Sequence, residues 1–180
     1  MILRLPEPKD HSEWRRVRDE GHDFLLKWEP VRSRDYAGAK SFRTRVYWSA
    51  KSATDGRALP LFLIDKHSGQ FMGAITLDNI RRGPAQMANL GYWIGPDFAR
   101  QGYMSEAVKA LVAYAFETLD LSRVEAACLP KNEASRGLLE RCGFKYEGVA
   151  QSYLQIGGRW RTHVLYANLR GDRRGRTDAE

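Results

Sequence analysis

Apolar residues recur at helical spacing in some stretches and at alternate positions in others, and this contrast divides the chain into elements. Trp14, Val17 and Arg18 begin a helical stripe that Gly21 interrupts, with Asp10 or Ser12 placed to cap it. A short strand over Ile2 to Leu5 precedes it, and a loop around Trp28-Glu29-Pro30 follows. Tyr36, Ala39, Phe42, Val46 and Tyr47 predict a second helix from Asp35 to about Ala50, with its exit at Asp55-Gly56. Leu59 to Asp65 and Phe71 to Asn79 read as a hairpin across His67-Ser68-Gly69, and Ala88 to Ile94 adds a third strand. Met104 to Thr118 is an amphipathic helix with apolar Ala107, Val108, Leu111, Val112, Ala115 and Phe116. Arg123 to Leu129 is a strand, and Glu133 to Cys142 a helix capped by Asn132 and stopped by Gly143. Phe144 to Gln155 and Trp160 to Asn168 form a last hairpin across Gly157-Gly158. The order predicts an α+β fold: two early helices, an antiparallel meander, then a crossover helix, a strand, a helix and a closing hairpin.

Composition narrows this picture. With 180 residues, 43% hydrophobic and 28% charged, the chain suits one domain over 1–169. The remainder, 170–180, concentrates arginines without apolar residues and reads as a flexible basic tail. The longest near-apolar run, Ala58 to Ile64, is broken by Pro60 and too short for a bilayer, and Met1 to Pro6 has no signal-like apolar stretch, so a cytoplasmic protein without membrane contact is expected. Cys128 and Cys142 make no disulfide framework, and the four scattered histidines give no metal-ligand spacing, so no metal is expected. The net charge of +7 points to an acidic partner: a polyphosphate ligand, an acidic substrate or RNA.

The most specific segment runs from Gly91 to Val108, where a strand ends in a glycine-bearing turn that opens straight into a helix. Such a turn aims backbone N–H groups outward at the positive end of a helix dipole, which favours phosphate or pyrophosphate. With the later run Asn132-Glu-Ala-Ser-Arg-Gly-Leu-Leu-Glu-Arg-Cys-Gly-Phe144, this segment resembles the GNAT acetyl-CoA-dependent N-acetyltransferases. Trp28-Glu29-Pro30-Val31-Arg32 and Tyr153-Leu154 through Gly158-Arg159-Trp160-Arg161-Thr162-His163-Val164 are similar to the RimJ-type ribosomal-protein-alanine branch.

The resemblance implies a mixed, mostly antiparallel central sheet flanked by helices, with splayed strands forming an acetyl-CoA cleft and pyrophosphate on the amides of Arg100, Gln101, Gly102, Tyr103 and Met104. It implies the pantetheine arm against Trp93 and Ile94, and a cofactor contact at Asn132. Two positions depart from the wider pattern: Ala99 stands where Gln or Arg is usual, and Met104 where a small residue is usual, although this branch also carries Met there. The superfamily's proton-donating tyrosine is replaced by Leu139, and the branch implies Ser135, in Asn132-x-x-Ser135, as the acid toward the departing thiolate. Residues three apart at a helix start share a face, and a purely structural cap reads equally from the residues. Glu29 is the candidate to orient the incoming ammonium or its water, while Ser152 stands where some relatives carry an acid.

Cys128, Cys142 and His163 read as structural, and most of Trp28, Tyr47, Trp48, Tyr92, Trp93, Tyr103 and Trp160 as core, with an acceptor groove as the alternative. The expected activity is acetyl transfer to the N-terminal α-amine of a protein beginning with Ala or Ser, a ribosomal protein by resemblance, with ribosome association in keeping. Acetylation of a small amine, and a non-catalytic CoA- or RNA-binding role, are the competing readings. Monomer and homodimer both remain open.

Overall fold

Side chains alternate across the strands, and the two faces they make have different covers. In the computed structural model, which describes residues 1–171, α1 (His11–Glu20), α2 (His22–Leu26) and α3 (Ala39–Thr54) follow β1 (Ile2–Arg4). The strands β2 (Leu59–Ile64), β3 (Phe71–Arg81) and β4 (Met87–Ile94) then lead through α4 (Tyr103–Glu117) to β5 (Arg123–Cys128). α5 (Glu133–Arg141), β6 (Lys145–Ile156) and β7 (Arg159–Leu169) complete the fold. Phe62, Ile64 and Phe71 pack with Trp14, Val17 and Phe42, so α1 and α3 cover one face. Leu63, Ile75, Leu77, Ala88 and Leu90 pack with Met104, Ala107, Val108, Leu111 and Leu139, so α4 and α5 cover the other.

The seven strands make one sheet in the order β1-β2-β3-β4-β5-β7-β6. Every neighbouring pair is antiparallel except β4 with β5. A parallel neighbour needs a crossover, and α4 supplies it. The α+β class, the mixed sheet and the element order agree with the sequence reading.

Several local expectations are corrected. Asp10 does not cap α1 through its side chain. Its carboxylate instead accepts Arg4 at 2.7 and 2.6 Å and the Glu7 N–H at 2.8 Å. The second helix starts at Ala39 because Gly38 is extended (φ −71°, ψ 152°), and it runs to Thr54 because no breaker precedes Asp55-Gly56. None of the seven aromatics read as core or groove is fully buried, and Tyr47, Trp48 and Trp160 are each more than half exposed. Arg170 is not tail-like: its guanidinium meets Asp120 at 2.6 Å and its N–H the Ser122 carbonyl. Most of the expected flexible tail lies outside the described residues.

Two glycines let β4 and the following loop sit close to their neighbours. A Cβ on Gly95 would lie 2.6 Å from Val17 Cγ1, and one on Gly73 would lie 2.8 Å from Ile94 Cα and against the Trp93 carbonyl. Because the Gly73 neighbours are backbone, they yield only by moving the end of β4. Gly73→Ala should cost about 1–3 kcal/mol and lower Tm by about 2–4 °C per kcal/mol. An unchanged melting curve would contradict this close packing.

Candidate active site

β4 and β5 pair from Met87 with Arg123 to Leu90 with Ala126, and no further. β4 continues to Ile94 beside β3, while β5 continues to Cys128 beside β7. The strands therefore splay, and the β5-side edge of Gly91 to Ile94 lacks a strand partner. An extended ligand bearing amides can pair with such an edge.

The splay opens toward the turn before α4. Gly95 anchors the end of β4 through its N–H to the Met72 carbonyl at 2.8 Å, and Gln101 Nε2 donates to the Asp97 carbonyl at 2.5 Å. Arg100 (φ 62°) and Gly102 (φ 89°) both adopt the left-handed conformation, which glycine alone enters without steric cost. The Glu106 N–H reaches the Gly102 carbonyl at 3.0 Å, so the amides of Tyr103, Met104 and Ser105 precede the first helical bond. Arg100, Gln101 and Gly102 are exposed, and the space beside Gly102 is open. A cradle of this kind fits a pyrophosphate. Met104 turns inward to the core at 5% exposure, which explains why a large side chain is tolerated in the turn.

α5 begins beside the splay. Asn132 caps it as expected, its Oδ1 accepting the Ser135 N–H at 3.1 Å. Ser135 Oγ lies 2.7 Å from Tyr92 Oη, a partner 43 residues away on β4. Burial pushes the Tyr92 phenol well above its ordinary range, partly offset by the bond to Ser135. Cys128 is buried, and burial raises its thiol while the adjacent Ser135 hydroxyl pulls it down. It is thus both a packed residue and a neighbour of Ser135. Leu139, at 1% exposure, is core. Arg136 Nε donates to Tyr166 Oη at 3.3 Å, and Tyr166 Oη to Glu140 Oε1 at 2.8 Å, which clamps α5 on β7.

Glu29 lies on the other face. Both its oxygens accept from Arg18, at 2.7 and 2.5 Å, with Arg32 at 3.7 Å. The pair is largely shielded, with 10% of the Arg18 and 13% of the Glu29 side chain exposed. The Arg18 guanidinium stacks 4.7 Å from the Trp93 ring centre and 5.4 Å from that of Tyr36. Burial works against the Arg18 charge, but the Glu29 bonds outweigh it and hold the guanidinium above its ordinary pKa. The Glu29 carbonyl accepts the Gly157 N–H at 3.0 Å, tying the β6–β7 turn to this loop.

Tyr92 and Trp93 are successive strand residues and point to opposite faces. Tyr92 packs with the α4–α5 core and Trp93 with the α1–α3 core. Ser135 and Glu29 therefore approach the end of β4 from its two sides. His163 is buried, its Nδ1 bonded to the Arg161 carbonyl at 2.9 Å, and is structural. Ser152 is exposed in the irregular stretch of β6, with φ 48°. Sequence reading missed the partners of Tyr92 and Arg18. The alternation of Tyr92 against Trp93 was the only signal for the first, and Arg18 gave none.

The GNAT acetyltransferase domain model matches residues 1–145. The chain belongs to the GNAT acetyltransferases. It is 33% identical over 167 residues to the [ribosomal protein uS5]-alanine N-acetyltransferase of Escherichia coli (strain K12), covering 93% of this chain and 86% of the relative. The ribosomal-protein-S5-alanine acetyltransferase of Vibrio fischeri superposes with a TM-score of 0.89 at 27% identity, over 96% of this chain and 94% of that one. The RimJ of Mycobacterium smegmatis in complex with CoA-disulfide superposes with a TM-score of 0.88 at 29% identity, over 96% and 83%. This GNAT protein is accordingly an N-acetyltransferase of the RimJ-like branch.

Arg18→Leu leaves a shielded carboxylate without its principal partner and should cost about 2 kcal/mol, a drop in Tm of about 4–8 °C. Glu29→Gln keeps a hydrogen-bonding partner for Arg18 and should cost less. Equal melting temperatures for Arg18→Leu and wild type would remove the pair as an anchor of the loop.

Proposed function

We propose that the protein transfers acetyl from acetyl-CoA to the N-terminal α-amine of a polypeptide, a ribosomal protein beginning with Ala or Ser, by direct attack of the amine on the thioester. The observation that carries this reading is the placement of Ser135 and Glu29 on opposite sides of the splayed end of β4. A thioester lying in the splay has its sulfur toward one and its carbonyl open to an acceptor near the other. The amides of Arg100 to Met104 hold the pyrophosphate, the edge at Trp93 and Ile94 pairs with the pantetheine arm, and Asn132 contacts the cosubstrate. The Ser135 hydroxyl donates toward the departing sulfur, and Glu29, fixed by Arg18, orients the ammonium or its water.

An α-amine has a pKa near 8 and a lysine amine near 10.4, so roughly a tenth of the former is neutral at pH 7 against well under ~0.1% of the latter. A mild orienting carboxylate is then sufficient for an N-terminus. The uS5-alanine specificity of the Escherichia coli relative supports a ribosomal acceptor. A cytoplasmic location follows from this acceptor, and no helix among the described residues is long and apolar enough to cross a membrane.

The test is acetyl-CoA with three acceptor classes: peptides starting with Ala or Ser, an N-terminally blocked lysine peptide, and a panel of small amines. Mass spectrometry should place the acetyl group on peptide N-termini alone; transfer confined to small amines would overturn the acceptor assignment. Gly102→Glu, which puts bulk and negative charge into the cradle, should abolish acetyl-CoA binding by calorimetry, and unchanged affinity would remove the turn as the pyrophosphate site. Ser135→Ala should lower kcat about 10²-fold or more while sparing the KM for acetyl-CoA. Wild-type turnover there would make Ser135 a structural residue.

A further inference from the structure

We propose that Tyr92 is the positioning residue for Ser135: it occupies the serine oxygen as a donor and so leaves the serine hydrogen for the departing sulfur. The inference rests on the reading of Ser135 as the donor to that sulfur. Tyr92 Oη is 2.7 Å from Ser135 Oγ and 3.5 Å from the Ser135 carbonyl. Two hydroxyls at this separation share one hydrogen bond, and only one of them gives its hydrogen to it.

If Ser135 were the donor, the Tyr92 hydrogen would be left with a carbonyl at 3.5 Å, beyond an effective hydrogen bond. If Tyr92 is the donor, its hydrogen is well placed and the Ser135 hydrogen is left for a third atom. Cys128 Sγ, which also neighbours the hydroxyl, is a weak acceptor, and Asn132 Oδ1 is already engaged by the Ser135 N–H. A sulfur leaving as thiolate is a far stronger one. Burial also keeps the Tyr92 phenol protonated, so it orients the serine without surrendering its own proton. Leu139, on the same helix, is packed in the core and offers no hydrogen.

The step balances simply. The amine nitrogen bonds to the thioester carbon, and the C–S bond breaks with its electron pair on sulfur. The Ser135 O–H meets that charge, and the proton lost by nitrogen passes to solvent. Tyr92 makes no bond to any reacting atom.

The experiment compares Tyr92→Phe, Ser135→Ala and the double variant by turnover, and by calorimetric affinity for CoA and for acetyl-CoA. Tyr92→Phe keeps the ring and its packing. Its kcat should fall about tenfold, with the KM for acetyl-CoA unchanged. Its affinity for CoA, which carries the free sulfur, should weaken severalfold while affinity for acetyl-CoA holds. The double variant should be no slower than Ser135→Ala, because the tyrosine acts through the serine. Wild-type kcat and CoA affinity in Tyr92→Phe, beside an impaired Ser135→Ala, would overturn the inference and leave the role of Ser135 standing. Wild-type behaviour of Ser135→Ala would overturn the reading beneath it. Equal loss of CoA and acetyl-CoA affinity in Tyr92→Phe, or additive losses in the double variant, would make Tyr92 merely structural and also overturn it.

Discussion

One failure of strand pairing shapes everything that follows in the fold. β4 and β5 are parallel neighbours for four residue pairs, and then each follows its antiparallel partner on the far side. Had the ladder continued, Gly91 to Ile94 would have spent their free edge within the sheet. Its interruption leaves a strand edge for a ligand and a gap between two otherwise sealed layers. The parallel direction also obliges the chain to cross over through α4, which brings a helix N-terminus to the mouth of the same gap. A turn suited to an anionic group and a strand edge suited to an extended amide arm thus have a common origin in topology.

The two sides of the gap are built differently. On the α5 side the groups facing the gap are neutral: a serine, a partly buried tyrosine and a buried cysteine, held by the Asn132 cap and the Arg136–Tyr166–Glu140 clamp. Removing water there strengthens a hydrogen bond to developing negative charge. On the α1 side the groups are ionic, with Glu29 gripped by Arg18 and the guanidinium stacked on Trp93. Both oxygens of Glu29 are thus taken up by the guanidinium. Trp93 serves twice, as part of the β4 edge and as the surface that holds Arg18 in place.

Most of the fold was legible because its signals are local. Gly102 announces a left-handed turn, Asn132 a cap and Gly143 a stop, and each is read within a few residues of the structure it makes. The resemblance placed the cleft, and the divergence after Leu90 agrees with it. What sequence did not disclose are pairings set by the tertiary fold. Arg18 and Glu29 are 11 residues apart with a short helix between them, and Tyr92 and Ser135 are 43 apart. Neither pairing follows from periodicity. Most of the aromatics, Tyr47, Trp48 and Trp160 among them, were read as core from strand or helix spacing, yet these three sit on outward faces that spacing cannot distinguish without the neighbouring element.

A crystal structure of the protein with CoA would show where the ligand lies in the splay. The pyrophosphate should sit on the amides between Arg100 and Met104, the pantetheine arm along the free edge of β4, and the sulfur within hydrogen-bonding distance of Ser135 Oγ. A pyrophosphate bound away from the turn, or a sulfur on the Glu29 side of β4, would overturn the assignment of the cleft.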